Sequence, residues 1–232
     1  MRPAYDWIPR VNEKQKRLAD LNLSADERHR IDRWLEAEFV YSTLELGGAG
    51  TSRASVAQLI SSEAHGSEIG EVDQSAFALL ESLRAVTSLA RAKGTAAALT
   101  ADLLVKLHGA PGESGSLVER RVMLVDAACR WFAADSFSEL HSVEQASIVL
   151  LRLIDIRPFE QLNEQTALVA ASLFTLRREL PPIIVRRQSL IAYRAALDEG
   201  DQMNTKPMVE FVSESVEGTL SEMIGRVYRQ ED

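Results

Sequence analysis

The segment Arg157-Pro158-Phe159-Glu160-Gln161-Leu162-Asn163-Glu164-Gln165-Thr166-Ala167-Leu168 gathers the side chains of this chain that bear most directly on chemistry. A guanidinium stays protonated in proteins, so Arg157 cannot take a proton from a substrate. Gln161 is neutral and a poor ligand for a hard cation, which prefers charged oxygen. Glu160 and Glu164 could hold a metal. The plainer reading makes them solvated carboxylates, favoured near the start of a helix by its dipole. Asn163 fits a helix N-cap, Pro158 a turn former, and Phe159 a core anchor. Asp155 precedes the segment and is placed to pair with Arg157 or Arg152.

Other chemistries find little support. The four histidines, 29, 65, 108 and 141, lie far apart and lack metal-ligand spacing. His108 and His141 read as helix-end or core residues. No Gly-x-Ser-x-Gly turn, phosphate-binding P-loop or cysteine pair occurs. The one cysteine, Cys129, sits in an apolar stretch as a small core filler and rules out an intrachain disulfide.

The elements that position the segment are helices. Ile148, Val149, Leu150, Leu151, Leu153 and Ile154 precede it, and Ala167 to Phe174 follow it. Both stretches are apolar nearly all round, as central helices are. Ser142 with Gln145 reads as a capping box opening the first of them, and Pro181-Pro182 as the stop of the second. Upstream, a helix is expected over about 11–21, preceded by Pro9. Ser24 with Glu27 caps another, through Trp34, Phe39 and Leu44, which Gly47-Gly48 ends. Further helices fall near 53–63, 73–93 (closed by Gly94), 100–107 (capped by Thr100), 117–134, 188–198 and 206–228. Gly66 and Gly70 mark a break, 109–115 a glycine-rich loop, and Thr205 and Pro207 a helix start. Strand patterns are scarce. One all-α domain follows, with 1–33 as a helical extension that packs with 34–232.

A length of 232 residues, 46% of them hydrophobic, suffices for a sizeable core. The net charge of −8 opposes binding to phosphate backbones, so no nucleic-acid partner is expected. Arg120-Arg121 and Arg186-Arg187 read as ordinary solvated pairs. The N-terminus shows no apolar run of signal-peptide type, and no segment has the roughly 18 apolar residues of a membrane span. A cytoplasmic protein with no membrane partner is expected.

The central segment resembles the signature of the Fic (Fido-domain) family, His-Pro-Phe-x-Asp/Glu-Gly-Asn-Gly-Arg-x-x-Arg. Pro158, Phe159 and Asn163 match. Arg157 stands for the histidine, Gln161 for the acid, Leu162 and Glu164 for the glycines, and Gln165 and Leu168 for the arginines. The resemblance runs from about 34 to 215. Phe39 to Gly47 is similar to the family's inhibitory helix, with Glu45 at the inhibitory glutamate. Leu99 to His108 resembles the helix before the flap that holds a target protein by strand addition. His141 to Ala146 resembles the start of the helix leading into the signature. Leu180-Pro181-Pro182 and Tyr193 to Leu197 also find counterparts. Between His108 and His141 the sequence leaves space for a flap cut down or absent.

The resemblance implies a Fic-type helical bundle. In the family, the histidine takes a proton from the target hydroxyl, the acid holds Mg²⁺ on ATP, and the glycines bring backbone N–H groups to the phosphates. A positioned base typically contributes about 10²–10⁴ in rate. A carboxylate at 164 about 4 Å from a phosphate charge would cost roughly 4 kcal/mol at an effective dielectric of about 20. No catalytic residue, metal or cofactor is therefore expected. Leu162, Asn163 and Glu164 form the candidate loop should any nucleotide bind. Without its arginine at 168, Glu45 is expected either to reach Arg157 or to face water. The expected function is a catalytically inactive binding or regulatory module, with a protein or small-ligand partner. The alternative is a transferase, using ATP and Mg²⁺, that moves AMP or another phosphate-containing group to a protein hydroxyl.

Overall fold

A computed structural model describes residues 6–61, 71–92, 98–108 and 116–229. The glycine-rich loop 109–115, the break with Gly66 and Gly70, and Gly94 lie outside the described residues. In chain order the helices are α1 (Trp7–Asp20), α2 (Ala25–Leu46), α3 (Arg53–Ser61), α4 (Glu71–Arg91), α5 (Ala101–His108), α6 (Val122–Phe132), α7 (Asp135–Ser138), α8 (Ser142–Ile156), α9 (Asn163–Leu176), α10 (Leu190–Asp201) and α11 (Lys206–Tyr228). Single turns of 3₁₀ helix precede α6 and α10, and no strand occurs among the described residues.

The antiparallel pair α8 and α9 forms the centre. Residues Thr166 to Thr175 of α9 are all buried. α4 and α5 pack on one side of it, while α11 and α10 pack against α8. α1 lies along α11, where Arg10 and Lys14 reach Glu217 at 3.0 and 3.2 Å. Trp7 and Val11 thereby join the same core as Phe39, Leu150 and Leu173. α2 continues unbroken past residue 33 and packs on α3 and α4.

Two serines buried in the central pair are satisfied locally. Ser147 and Ser172 donate to the carbonyls of Val143 and Leu168, one turn back. The extended segment 180–186 runs through the interior with no neighbouring strand. Its backbone bonds go to side chains: Ile183 N–H donates to Ser172 Oγ, and Ser215 Oγ accepts from Ile184 N–H and donates to Ile184 C=O. Two serines on two helices thus replace a β-ladder.

Several local expectations change. α1 starts at Trp7, with Pro9 inside its first turn, where a missing N–H leaves no intrahelical bond unmade. The capping box of α8 is His141 with Glu144, one residue before Ser142 with Gln145. His141 Nδ1 accepts from Val143 N–H, and Glu144 accepts from His141 N–H. Thr205 makes no side-chain cap, although Pro207 does lie in the first turn of α11. α9 ends at Leu176, before Pro181, in a turn with Glu179 at φ 58°. The Ser24–Glu27 box and the Thr100 cap stand as expected. Cys129 is buried, and burial, with a smaller contribution from Asp126, pushes its thiol up to about 11.

The His141 cap carries a pH dependence. Burial holds its imidazole below the usual value, so the folded state prefers the neutral ring that accepts from Val143. The unfolded chain then binds more protons at mildly acidic pH, and stability falls as pH drops through and below about 6.5. Thermal melts should show this loss in the natural chain. A His141→Asn variant keeps a capping acceptor but cannot titrate, so that component should vanish.

Candidate functional site

Residues 157–162 join α8 to α9, and the two non-glycine residues at the ends of this loop take left-handed backbone conformations. Arg157 (φ 50°) terminates α8, its N–H donating to Leu153 C=O. Leu162 (φ 53°) precedes α9. A branched side chain there costs on the order of 1 kcal/mol. The resemblance places a glycine at 162, the residue that adopts such a backbone without strain. The loop keeps that backbone shape without that residue.

Asn163 holds the loop closed. Its Oδ1 accepts from Phe159 N–H at 2.8 Å and its Nδ2 donates to Phe159 C=O at 2.7 Å. The expected N-cap role is thus corrected: Asn163 is the first residue of α9, and its amide serves the loop behind it. Phe159 is buried and stacks on His108, with centroids 3.9 Å apart and planes 8° apart. His108 Nδ1 lies 3.0 Å from Thr166 Oγ1, which donates to Leu162 C=O. A segment from 116 straps the loop: Val118 N–H donates to Pro158 C=O at 2.9 Å, and Arg121 donates to Arg157 C=O.

The remaining positions of the segment part company. Arg157, Glu160 and Gln161 are exposed. Leu168 is fully buried in the core. Gln165 lies against the end of α2, where a Cβ on Gly47 would come within 2.6 Å of its Nε2. Glu164 turns to α10 and meets Arg194 with both oxygens, at 2.7 and 3.3 Å. That pair was not legible in the sequence, because 30 residues separate its members. Beneath it Tyr193 is fully buried; burial first, and then Glu164, push its phenol well above its ordinary value.

Glu45 does neither of the things expected of it. It pairs with Arg187 at 3.3 Å, and its carboxylate raises the phenol of the neighbouring Tyr41 above its ordinary value. Arg186, read from sequence as solvated, is only 12% exposed in its side chain and lies between Glu38, Glu222 and Thr219. Asp155 pairs with Arg152 at 2.6 Å rather than with Arg157.

Two cavities flank this region. One, between α4, α5 and α9, is lined by Ser75, Leu79, His108, Leu162, Gln165 and Thr166 and has about 20 Å³, enough for one water. The other, about 290 Å³, lies between Ser42, Glu45, Leu46, Val185, Arg187 and Leu190. Small-ligand pockets start near 300 Å³. Among the described residues, no three His, Cys, Asp or Glu side chains converge as metal ligands.

The clasp made by Asn163 should matter to stability. Asn163→Ala leaves the Phe159 N–H and C=O without their partners and should lower stability by about 1–3 kcal/mol. Denaturant unfolding of the two proteins measures the difference. Asn163→Asp, which keeps the acceptor alone, should fall between them.

No protein-family model matches the chain. It is 29% identical over 91 residues to Fic protein adenylyltransferases of Drosophila erecta and Drosophila melanogaster, a match covering 39% of this chain and 18% of each relative. Among solved structures, a Fic-1 fragment from C. elegans superposes with a TM-score of 0.84 at 19% identity, covering 94% of this chain and 70% of that one. A Fic-domain-containing signaling protein from Bacteroides thetaiotaomicron gives 0.82 at 18% identity, covering 94% and 97%. A Fic-family protein from Desulfovibrio desulfuricans gives 0.76 at 17% identity, covering 98% and 76%. With its all-helical order, its clasped loop between two central helices and these neighbours, the chain has the fold of the Fic domain.

Proposed function

We propose that this Fic-fold chain does not transfer AMP and works as a binding or regulatory module for a protein or a small ligand. One observation carries this reading: Asn163, Glu164 and Leu168 of the 157–168 segment are committed to holding the fold. Both amide atoms of Asn163 bond Phe159, Glu164 is locked to Arg194, and Leu168 lies in the core. Four side chains of the segment are exposed: Arg157, Glu160, Gln161 and the apolar Leu162. A guanidinium cannot serve as a base, and an amide is a weak ligand for Mg²⁺. Glu160 alone offers one carboxylate, where Mg²⁺ takes one or two together with substrate phosphates. The donor set is therefore the bare minimum for a Mg²⁺–nucleotide, with no second carboxylate and no base beside it. The pairing of Glu45 with Arg187 fits the same reading, since a contact that masks a phosphate site has no purpose where none is held.

The transferase reading keeps one argument. Arg194 compensates the charge of Glu164, so the roughly 4 kcal/mol repulsion of a phosphate is not incurred in full. The two readings separate under labelled ATP and Mg²⁺. The chain should label neither itself nor a test protein, and Glu45→Gly should change nothing. Labelling of any hydroxyl after that substitution, seen as an adenylyl mass shift, would sink the inactive reading.

Restoring the base should not suffice either. Arg157→His should remain inactive, because 161, 162, 164, 165 and 168 still lack the residues of the family pattern. Its comparison is a variant that also carries Gln161→Asp, Leu162→Gly, Glu164→Gly, Gln165→Arg and Leu168→Arg. Measurable transfer by the single variant would mean that the phosphate site survives in this backbone.

A further inference from the structure

We infer that the outer face of α6 is a self-association surface, on which a second copy of this chain docks antiparallel. At about 100° per residue, Met123, Ala127, Trp131 and Leu124 fall within about 100° of one another around the helix. Met123 is 83% exposed, Leu124 47% and Trp131 46%, while the opposite face, Val125, Ala128, Cys129 and Phe132, is buried. The stripe is therefore continuous and faces outward. Its aromatic member is held in place, Trp131 packing edge-on against Phe137 at 5.3 Å. A rigid, half-exposed tryptophan is the kind of residue that anchors an interface.

The charges beside the stripe identify the occupant. Glu119 and Asp126 stand with Arg120 and Arg130 around it, so a foreign segment of one strong sign would meet like charge as well as opposite. A reversed copy meets opposites. Asp126 and Arg130 lie about 40° apart on the Met123 side of the stripe, and no ion pair joins either to any described residue. Two antiparallel helices related by a two-fold axis bring the same flank of each together. With the axis beside Ala128, Asp126 of one copy lies level with Arg130 of the other, and the converse pair forms by symmetry. In that register Trp131 of each copy reaches the Leu124 turn of the other. One short helix per copy gives a contact of the small, transient class, so the dimer is concentration-dependent. This proposal is independent of whether the chain transfers AMP.

Sedimentation equilibrium of the full 232-residue chain under reducing conditions, from about 1 µM to about 1 mM, tests it. A reversible monomer–dimer equilibrium is expected. Trp131→Glu should weaken it by about tenfold or more. Asp126→Arg and Arg130→Asp should each weaken it by about tenfold, through two like-charge pairs. The double reversal should return to within about threefold of the natural chain. Helical circular dichroism checks that each variant is folded. A chain that stays monomeric throughout, a dimer indifferent to Trp131→Glu, or reversals that do not compensate each other would overturn the proposal.

Discussion

A helix with no face to water sets the terms for this molecule. From Thr166 to Thr175, α9 is buried, so its neighbours must surround it and its polar side chains must be answered from within. Ser172 and Thr175 bond back to their own helix, and Ser172 also accepts from Ile183. That last bond lets an unpaired extended segment pass through the interior between α9 and α11. Burying the apolar surface of α8 and α9 stabilises the fold at roughly 25 cal/mol per Å². The cost is that each end of α9 must be specified closely. At one end the Asn163 clasp does this, and at the other the left-handed turn at Glu179.

The loop separates shape from chemistry. Its backbone turns through a left-handed residue just before α9, a conformation suited to glycine and here held by Leu162. The clasp from Asn163, the stacking of His108 on Phe159 and the strap through Val118 hold that shape together. None of these contacts requires a base at 157 or a carboxylate at 161. A loop can therefore keep its path while the groups that would act on a substrate are exchanged, because backbone geometry and reactivity draw on different atoms.

Charged groups beside the loop and at the end of α2 are here turned on one another. Glu164 meets Arg194 and Glu45 meets Arg187, both pairs partly exposed. Partly exposed pairs contribute modestly to stability, so their main effect is on what can approach. A carboxylate held by a guanidinium offers an incoming anion less repulsion than a bare one, and the arginine offers less attraction than a free one. The region is closer to neutral than its count of charged side chains suggests.

Helix type and order were legible from the sequence, because apolar periodicity, capping residues and glycines report local physics. All-round apolar character marked α8 and α9 as central, and Phe159 as buried, before any contact was known. That the guanidinium of Arg157 is no base and the amide of Gln161 carries no charge is also a property of the residues themselves. Only the tertiary structure decided where long side chains go. Glu45 chose Arg187 over Arg157 or water, Arg186 was drawn inward to Glu38, and Asn163 turned back to Phe159 instead of capping its helix. The choice of Arg187 by Glu45 joins residues 142 positions apart. Such choices depend on which surfaces the packed helices bring within a few ångströms, and no local pattern in a chain encodes that distance.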